Sequence, residues 1–292
     1  MENLADRIRV GIAGWSYPDW DGYVYDRGVK DKLRFIAGYV DMIEINSTFY
    51  RPPTEKNSES WLRQTADLPG FYFTAKLHQE ITHEGVLVDD MVRAFHEGFA
   101  PLTDAGRLKH LLAQFRWDFA DQPETRQHLS AIHEKFRDMP QLVLELRHAS
   151  WQSPQALEFL GGLGVTVANL DYPLAKNSFS LQECRVGPDG YLRLHGRNAE
   201  KWFDKKAGRD ETYNYYYSAR EIDGIKDRAL SLAKTYRALT IVANNHYEGK
   251  EVANALQMKA SLSGRKVKVP PALLGRYPDL KAIAKPDAGM LF

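Results

Sequence analysis

Short apolar runs alternate with amphipathic stretches along nearly the whole chain. The runs fall at residues 10–14, 42–46, 71–77, 108–115, 142–147, 165–170, 191–195 and 240–244. Their length and bounding turn residues predict β-strands. Helical spacing of apolar positions fills the gaps, at 32–39, 56–66, 89–102, 123–137, 154–160, 218–236 and 249–262. The helix at 218 opens with Ser218-Ala219-Arg220-Glu221, the spacing of a capping box, and repeats apolar residues at Ile222, Ile225, Ala229, Leu232 and Ala233. Eight strands with helical crossovers predict an α/β fold. A single (β/α)8 TIM-like barrel fits the count better than an open doubly wound sheet. No repeat or linker divides the chain, so one domain over 1–292 is expected, with its core at about 8–264 and an irregular surface tail at 265–292 rich in Pro and Gly. Two connections exceed what packing needs: 15–31 after the first strand and 196–217 after the seventh. Both belong at the face where this fold keeps its sites. An Asp-Tyr-Pro turn at 171–173 opens a third insertion there.

Side chains alternate along a strand between the barrel interior and the helix layer. With the leucines of 142, 144 and 146 on the helix side, Glu145 and Arg147 face inward. The same phase points Glu44, Asn46 and Thr48 inward in the second strand, and Lys76 with Tyr72 and Thr74 in the third. In the seventh it points Arg193, His195 and, beyond the strand, Arg197 inward. Asn169 and Asp171 share a side of the sixth strand, Gln114 ends the fourth, and Asn244, Asn245 and His246 end the eighth. An ionised group in a dry interior costs several kcal/mol unless paired or hydrated. So many at one end of a barrel predict a hydrated pocket. A purely structural ion network, Glu44 with Lys76 and Glu145 with Arg147, is the competing reading.

Composition narrows the class without choosing the chemistry. Lys plus Arg number 39 against 38 for Asp plus Glu, so the net charge is +1 and no surface-wide affinity for nucleic acid is expected. One cysteine excludes a disulfide framework and a Cys-rich zinc site. No run reaches membrane-spanning length, and the first nine residues lack the apolar core of a signal peptide, so a cytoplasmic protein is expected. No Gly-x-Gly-x-x-Gly follows a strand, so no nucleotide cofactor is expected.

Within the expected pocket, Glu145 and His195 are the candidates for proton transfer, His195 because imidazole titrates near neutrality. Lys76, Arg147 and Arg197 suit an anion, Glu44 would orient Lys76 or ligate a cation, and Glu44 and Asn46 join them as candidate substrate-binding residues. Trp15, Tyr17 and Tyr50 are candidate aromatic walls, and Asn244 and Asn245 candidate polar contacts. His78, His83 and His148 sit past strand ends, at the rim, while Cys184 has no paired base in view. Glu44, Glu145, Asp171 and His195 offer donors for a single divalent metal, though no His-x-His or His-Glu-x-x-His spacing supports one.

Two segments carry a resemblance: Gly14-Trp15-Ser16-Tyr17-Pro18-Asp19-Trp20 and Glu44-Ile45-Asn46-Ser47-Thr48-Phe49-Tyr50-Arg51. Phe73-Thr74-Ala75-Lys76, Ile81-Thr82-His83, Glu145-Leu146-Arg147-His148-Ala149-Ser150-Trp151, Arg193-Leu194-His195-Gly196-Arg197, Tyr215-Tyr216-Tyr217-Ser218 and Asn244-Asn245-His246 extend it. Together they resemble the YecE-like family, domain of unknown function 72, over about residues 10–256. The sequence departs from that pattern at Ala243, where Phe is frequent, and at Gln114-Phe115-Arg116-Trp117, where Gln-Leu-Pro-Pro types are. The resemblance implies a TIM-like barrel likened to the xylose-isomerase and endonuclease-IV type, but no particular reaction.

Three functions compete. One is an enzyme, expected to be a hydrolase, acting on a phosphate-bearing or other anionic small molecule. The second is a glycoside hydrolase using Glu44 and Glu145 across the scissile bond. The third is a non-enzymatic nucleic-acid or protein binder using the basic, aromatic segment 201–217, which serves equally as a lid. The oligomeric state is left open.

Overall fold

The computed structural model describes residues 4–286. Nine parallel strands form one sheet: β1 Ile8–Ala13, β2 Met42–Ile45, β3 Tyr72–Lys76, β4 Leu108–Gln114, β5 Gln141–Glu145, β6 Thr166–Val167, β7 Asn169–Asp171, β8 Gly190–Leu194 and β9 Leu239–Ala243. Their order is β6-β5-β4-β3-β2-β1-β9-β8-β7. The two edges, β6 and β7, are halves of the predicted sixth strand separated only by Ala168. The ring therefore closes through the chain itself, and the Ala168 amide donates to the Leu144 carbonyl at 2.9 Å. The fold is the α/β TIM-like barrel that the strand count predicts.

Alternation sorts the apolar residues into two sets. Ile43, Ile45, Leu142, Leu144, Leu192, Leu194, Ile241 and their neighbours face the helices and build the larger core. Met42, Leu112, Val143, Ala168, Leu170, Tyr191 and Val242 fill the barrel's interior. Helices such as Asp89–Asp104, Ala219–Ala233 and Lys250–Ser263 cover the outside. The predicted capping box is present: the Glu221 amide donates to Ser218 Oγ at 3.4 Å, and the Ser218 amide to Glu221 Oε2 at 2.8 Å. All five apolar residues predicted to repeat along that helix are buried.

The segment after residue 264 is more ordered than its Pro and Gly content suggests. It forms a helix at Pro271–Arg276 and a 3₁₀ turn at Pro278–Ala282, and Leu273 and Leu280 are fully buried in the main core. Residues 287–292 of the expected tail, and Met1 to Asn3, lie outside the described residues. Replacing Leu273 by Ala is expected to cost about 2–5 kcal/mol in urea denaturation. A loss below the scatter of ordinary surface substitutions would return the segment to a dispensable tail.

Candidate functional site

The C-terminal end of the barrel is organised around Arg193 on β8, which is fully buried. Its guanidinium pairs with Glu44 Oε1 of β2 at 2.6 Å and with Glu145 Oε2 of β5, spanning the barrel bore. Glu44 and Glu145 are fully buried too. Tyr191, two residues before Arg193 on the same face, donates to Glu44 Oε2 at 2.8 Å. Arg147 donates to Glu145 Oε1 through Nε at 2.9 Å and Nη2 at 2.7 Å. Two arginines thus answer two carboxylates. Arg147 pairs with Glu145 as the network reading requires, but Glu44 pairs with Arg193 rather than Lys76.

This pairing sets the ionisation of its neighbours. Burial pushes the Glu145 carboxyl up, but Arg193, His195 and Arg147 outweigh burial and hold it well below the usual range. His195 is fully buried, and burial lowers it to about 4 despite Glu145, so it is neutral at pH 7. Its Nδ1 meets Asn244 Nδ2 at 3.0 Å, and its Nε2 lies 3.3 Å from Glu145 Oε1 at an angle that makes no hydrogen bond. Lys76, at the end of β3, is lowered to about 7 by burial and by Arg193, against the pull of Glu44 and Glu145.

Above the network lies an open cavity of about 530 Å³. Among the described residues its charged lining is Lys76, Arg147 and Arg209, with no carboxylate. Trp15, Tyr17, Tyr50, Asn46 and Asn244 line it as expected. Gly14, at φ 89°, turns the chain out of β1 so that Tyr17 folds back, its hydroxyl donating to the Ala13 carbonyl and its ring stacking on His246 at 4.6 Å. The long connection after β8 lies over the site. Trp202 packs against His195 at 5.8 Å between ring centres, and Arg209 stands 5.7 Å over the Tyr17 ring. Three of its tyrosines are anchors, Tyr215 donating to Glu221, Tyr216 to Asp279 and Tyr217 to Asp171, while Tyr213 lines the cavity.

Residues 9–276 match the family described as protein of unknown function DUF72. The chain belongs to the DUF72 family. A DUF72 protein of Thermotoga maritima MSB8 superposes with a TM-score of 0.78 at 31% identity, over 88% of this chain and 99% of that one. A DUF72 protein of Enterococcus faecalis V583 gives 0.77 at 25% identity, over 88% and 95%. The UPF0759 protein YunF of Bacillus subtilis strain 168 is 26% identical over 267 residues, 86% of this chain and 93% of that protein. No helix among the described residues of this DUF72 chain is long and apolar enough to cross a membrane.

Several expected site residues of the DUF72 chain stand elsewhere. Asp171 and Asn169 face outward, because Ala168 and Leu170 occupy the inner side of that strand. Asp171 takes a bidentate pair from Arg197, at 2.8 and 2.7 Å, and Asn169 bonds the Cys184 backbone. Arg197 leaves the inward phase because Gly196, at φ 87°, breaks the alternation just before it. Asn245 is tied to Asn254 and the Tyr215 carbonyl, outside the cavity lining. Glu145 and His195 lie beneath the cavity and do not line it. The four candidate metal donors do not converge: Arg193 stands between Glu44 and Glu145, Asp171 faces away, and no group of three His, Cys, Asp or Glu among the described residues is placed to hold an ion. The sequence pattern points Arg193 inward without a role, and it offers Arg209 and Tyr213 only as members of the basic, aromatic segment 201–217, not as cavity residues. For Arg193 the signal was present in the β8 alternation, but Arg209 sits on a loop where no period applies.

Two variants test the electrostatics. Arg193→Met leaves Glu44 without its cation and Glu145 with Arg147 alone. It is expected to cost about 3–5 kcal/mol in chemical denaturation. Lys76→Met is expected to stabilise, by about 1–3 kcal/mol, the solvated side of the amine making the gain less than the full shift implies. The unfolded lysine keeps its proton to higher pH than the folded one, so wild-type stability rises with pH between about 7 and the ordinary lysine value. The advantage of the variant is therefore full below pH 7 and gone at the top of that window. A gain independent of pH would contradict the assigned ionisation.

Proposed function

We propose that this DUF72 protein is an enzyme that binds a small phosphate- or carboxylate-bearing substrate in the cavity at the C-terminal end of its barrel. The observation that carries this reading is the lining: Lys76, Arg147 and Arg209 without a carboxylate among them. Arg209 supplies a forked donor that matches carboxylate and phosphate oxygens, while Arg147, whose Nε and one Nη2 proton are held by Glu145, offers its remaining N–H groups. Arg209 comes from the connection over the site, so ligand and loop would order together. Trp15, Tyr17 and Tyr50 wall the rest of the substrate.

Within this reading the proton carrier is Lys76 rather than Glu145 or His195. It reaches the cavity and titrates at about 7, where an acid–base group works best. Glu145 and His195 become positioning residues that hold Arg147 and Asn244. Hydrolysis through Glu145 and His195 loses support from their burial. The glycoside hydrolase reading loses support from Arg193, which neutralises both carboxyls the reaction would need free. Nucleic-acid binding by 201–217 loses support because Tyr215, Tyr216 and Tyr217 are used as anchors and Tyr213 lines the cavity.

Calorimetric titration with inorganic phosphate and with citrate tests the proposal. Wild-type protein is expected to bind at least one of them, more weakly as salt rises. Arg209→Ala and Arg147→Ala are each expected to weaken binding about 10–100-fold. Absence of binding by the wild type at low salt, or unchanged affinity in both variants, would overturn the anion pocket.

A further inference from the structure

Lys76 differs from the other buried or half-buried lysines of this chain. Lys32, Lys250 and Lys259 each hold a carboxylate within 2.8 Å, Lys226 holds Asp223 at 3.5 Å and Lys201 holds Asp204 at 3.8 Å. Lys76 Nζ makes no hydrogen bond or ion pair among the described residues, and its recorded contact is the Phe49 ring, 4.2 Å to the centroid. The two carboxylates that its charge would attract, Glu44 and Glu145, are taken by Arg193 and Arg147. Among the described residues Lys76 is also the one lysine in the cavity lining, where it shares the space with Arg147 and Arg209.

We propose that Lys76 is a covalent nucleophile, forming an imine with a small ketone or aldehyde that carries a carboxylate or phosphate. The proposal rests on the anion pocket, adds the substrate class, and gives Lys76 a covalent role in place of proton transfer. An amine beside cations and an aromatic face keeps its lone pair at neutral pH, the condition for attack on a carbonyl. Its titration at about 7 agrees with that placement. The groups bearing on it are Arg193, Glu44, Glu145 and Arg147, and His83 at the cavity wall is itself lowered to about 4 and so neutral.

In the first step Nζ bonds to the carbonyl carbon. The π pair moves to oxygen, which gains the proton the amine gives up, leaving a carbinolamine. In the second the carbon–oxygen bond breaks, the hydroxyl takes a proton from solvent and departs as water, and the nitrogen pair closes an iminium. No oxidation or reduction occurs, and water reverses both steps. The iminium withdraws electrons from bonds at the adjacent carbon, while Arg147 and Arg209 hold the anionic end.

Borohydride trapping tests this on the full chain with pyruvate, with dihydroxyacetone phosphate, and with acetone as the uncharged control. The expected result is one reduced adduct per chain from at least one anionic carbonyl, mapped to Lys76 by peptide mass analysis. No adduct is expected with acetone at the same concentration, and trapping should increase as pH rises through about 7. Lys76→Arg is expected to abolish the adduct without changing the far-UV circular dichroism of the protein. No adduct with either anionic carbonyl, an equal adduct in Lys76→Arg, or an equal adduct with acetone would overturn the proposal. If trapping fails while phosphate still binds, the imine alone is wrong. If phosphate binding also fails, the anion pocket falls with it.

Discussion

Everything at the working end of this barrel depends on Arg193 spanning Glu44 and Glu145. Charges removed from water are tolerable only when they are paired and hydrogen-bonded. Arg193 meets that condition from the middle of the bore, with Tyr191 beneath it and Arg147 above completing the set. The four charged groups sum to zero, so the plug itself imposes little net field. What lies above it is then governed by Lys76 and Arg209, which have no buried carboxylate of their own. Burial lowers Lys76, Arg193 adds to it, and the closed pairing withholds from Lys76 the direct carboxylate contacts that would offset both.

The same pairing separates groups that act from groups that support. Glu145 and His195 carry the residue types of acid–base chemistry, yet both are fully enclosed. Their chemistry is spent on neighbours: Glu145 fixes the Arg147 fork, and His195 packs under Trp202 and meets Asn244. The connection after β8 closes this layer, and Tyr217, bonded to Asp171 and to the Gly196 amide, anchors its far end. Asp171 and Arg197 therefore contribute to the site indirectly, by holding the loop that delivers Arg209.

Much of this was legible from alternation. Leu142, Leu144 and Leu146 on one side of β5 forced Glu145 to the other, and the same argument placed Glu44, Lys76, Arg193 and His195 inside. Motif segments around Gly14, Glu44 and Glu145 pointed to the family that residues 9–276 match. The argument failed where polarity was taken as a sign of facing in. Asn169 and Asp171 face out because the loop at Cys184 and the side chains of Arg197 and Tyr217 satisfy them there. It failed again past strand ends, where Gly196 redirects Arg197 and no period constrains Arg209. Sequence periodicity reports which side of a strand a residue takes. It does not report which charge partner reaches that residue first, and so Glu44 was assigned to Lys76 when Arg193 holds it.

The most direct test of this account is the titration of Lys76 itself. Carbon-13 NMR of lysine ε-methylenes in the full-length protein, with Lys76→Arg identifying the resonance, reads its ionisation without any substrate. A midpoint near pH 7 is the predicted result. A midpoint at the ordinary lysine value would mean that the amine is hydrated or paired with Glu44 or Glu145, and would contradict the buried, unpaired lysine on which the pocket's chemistry rests.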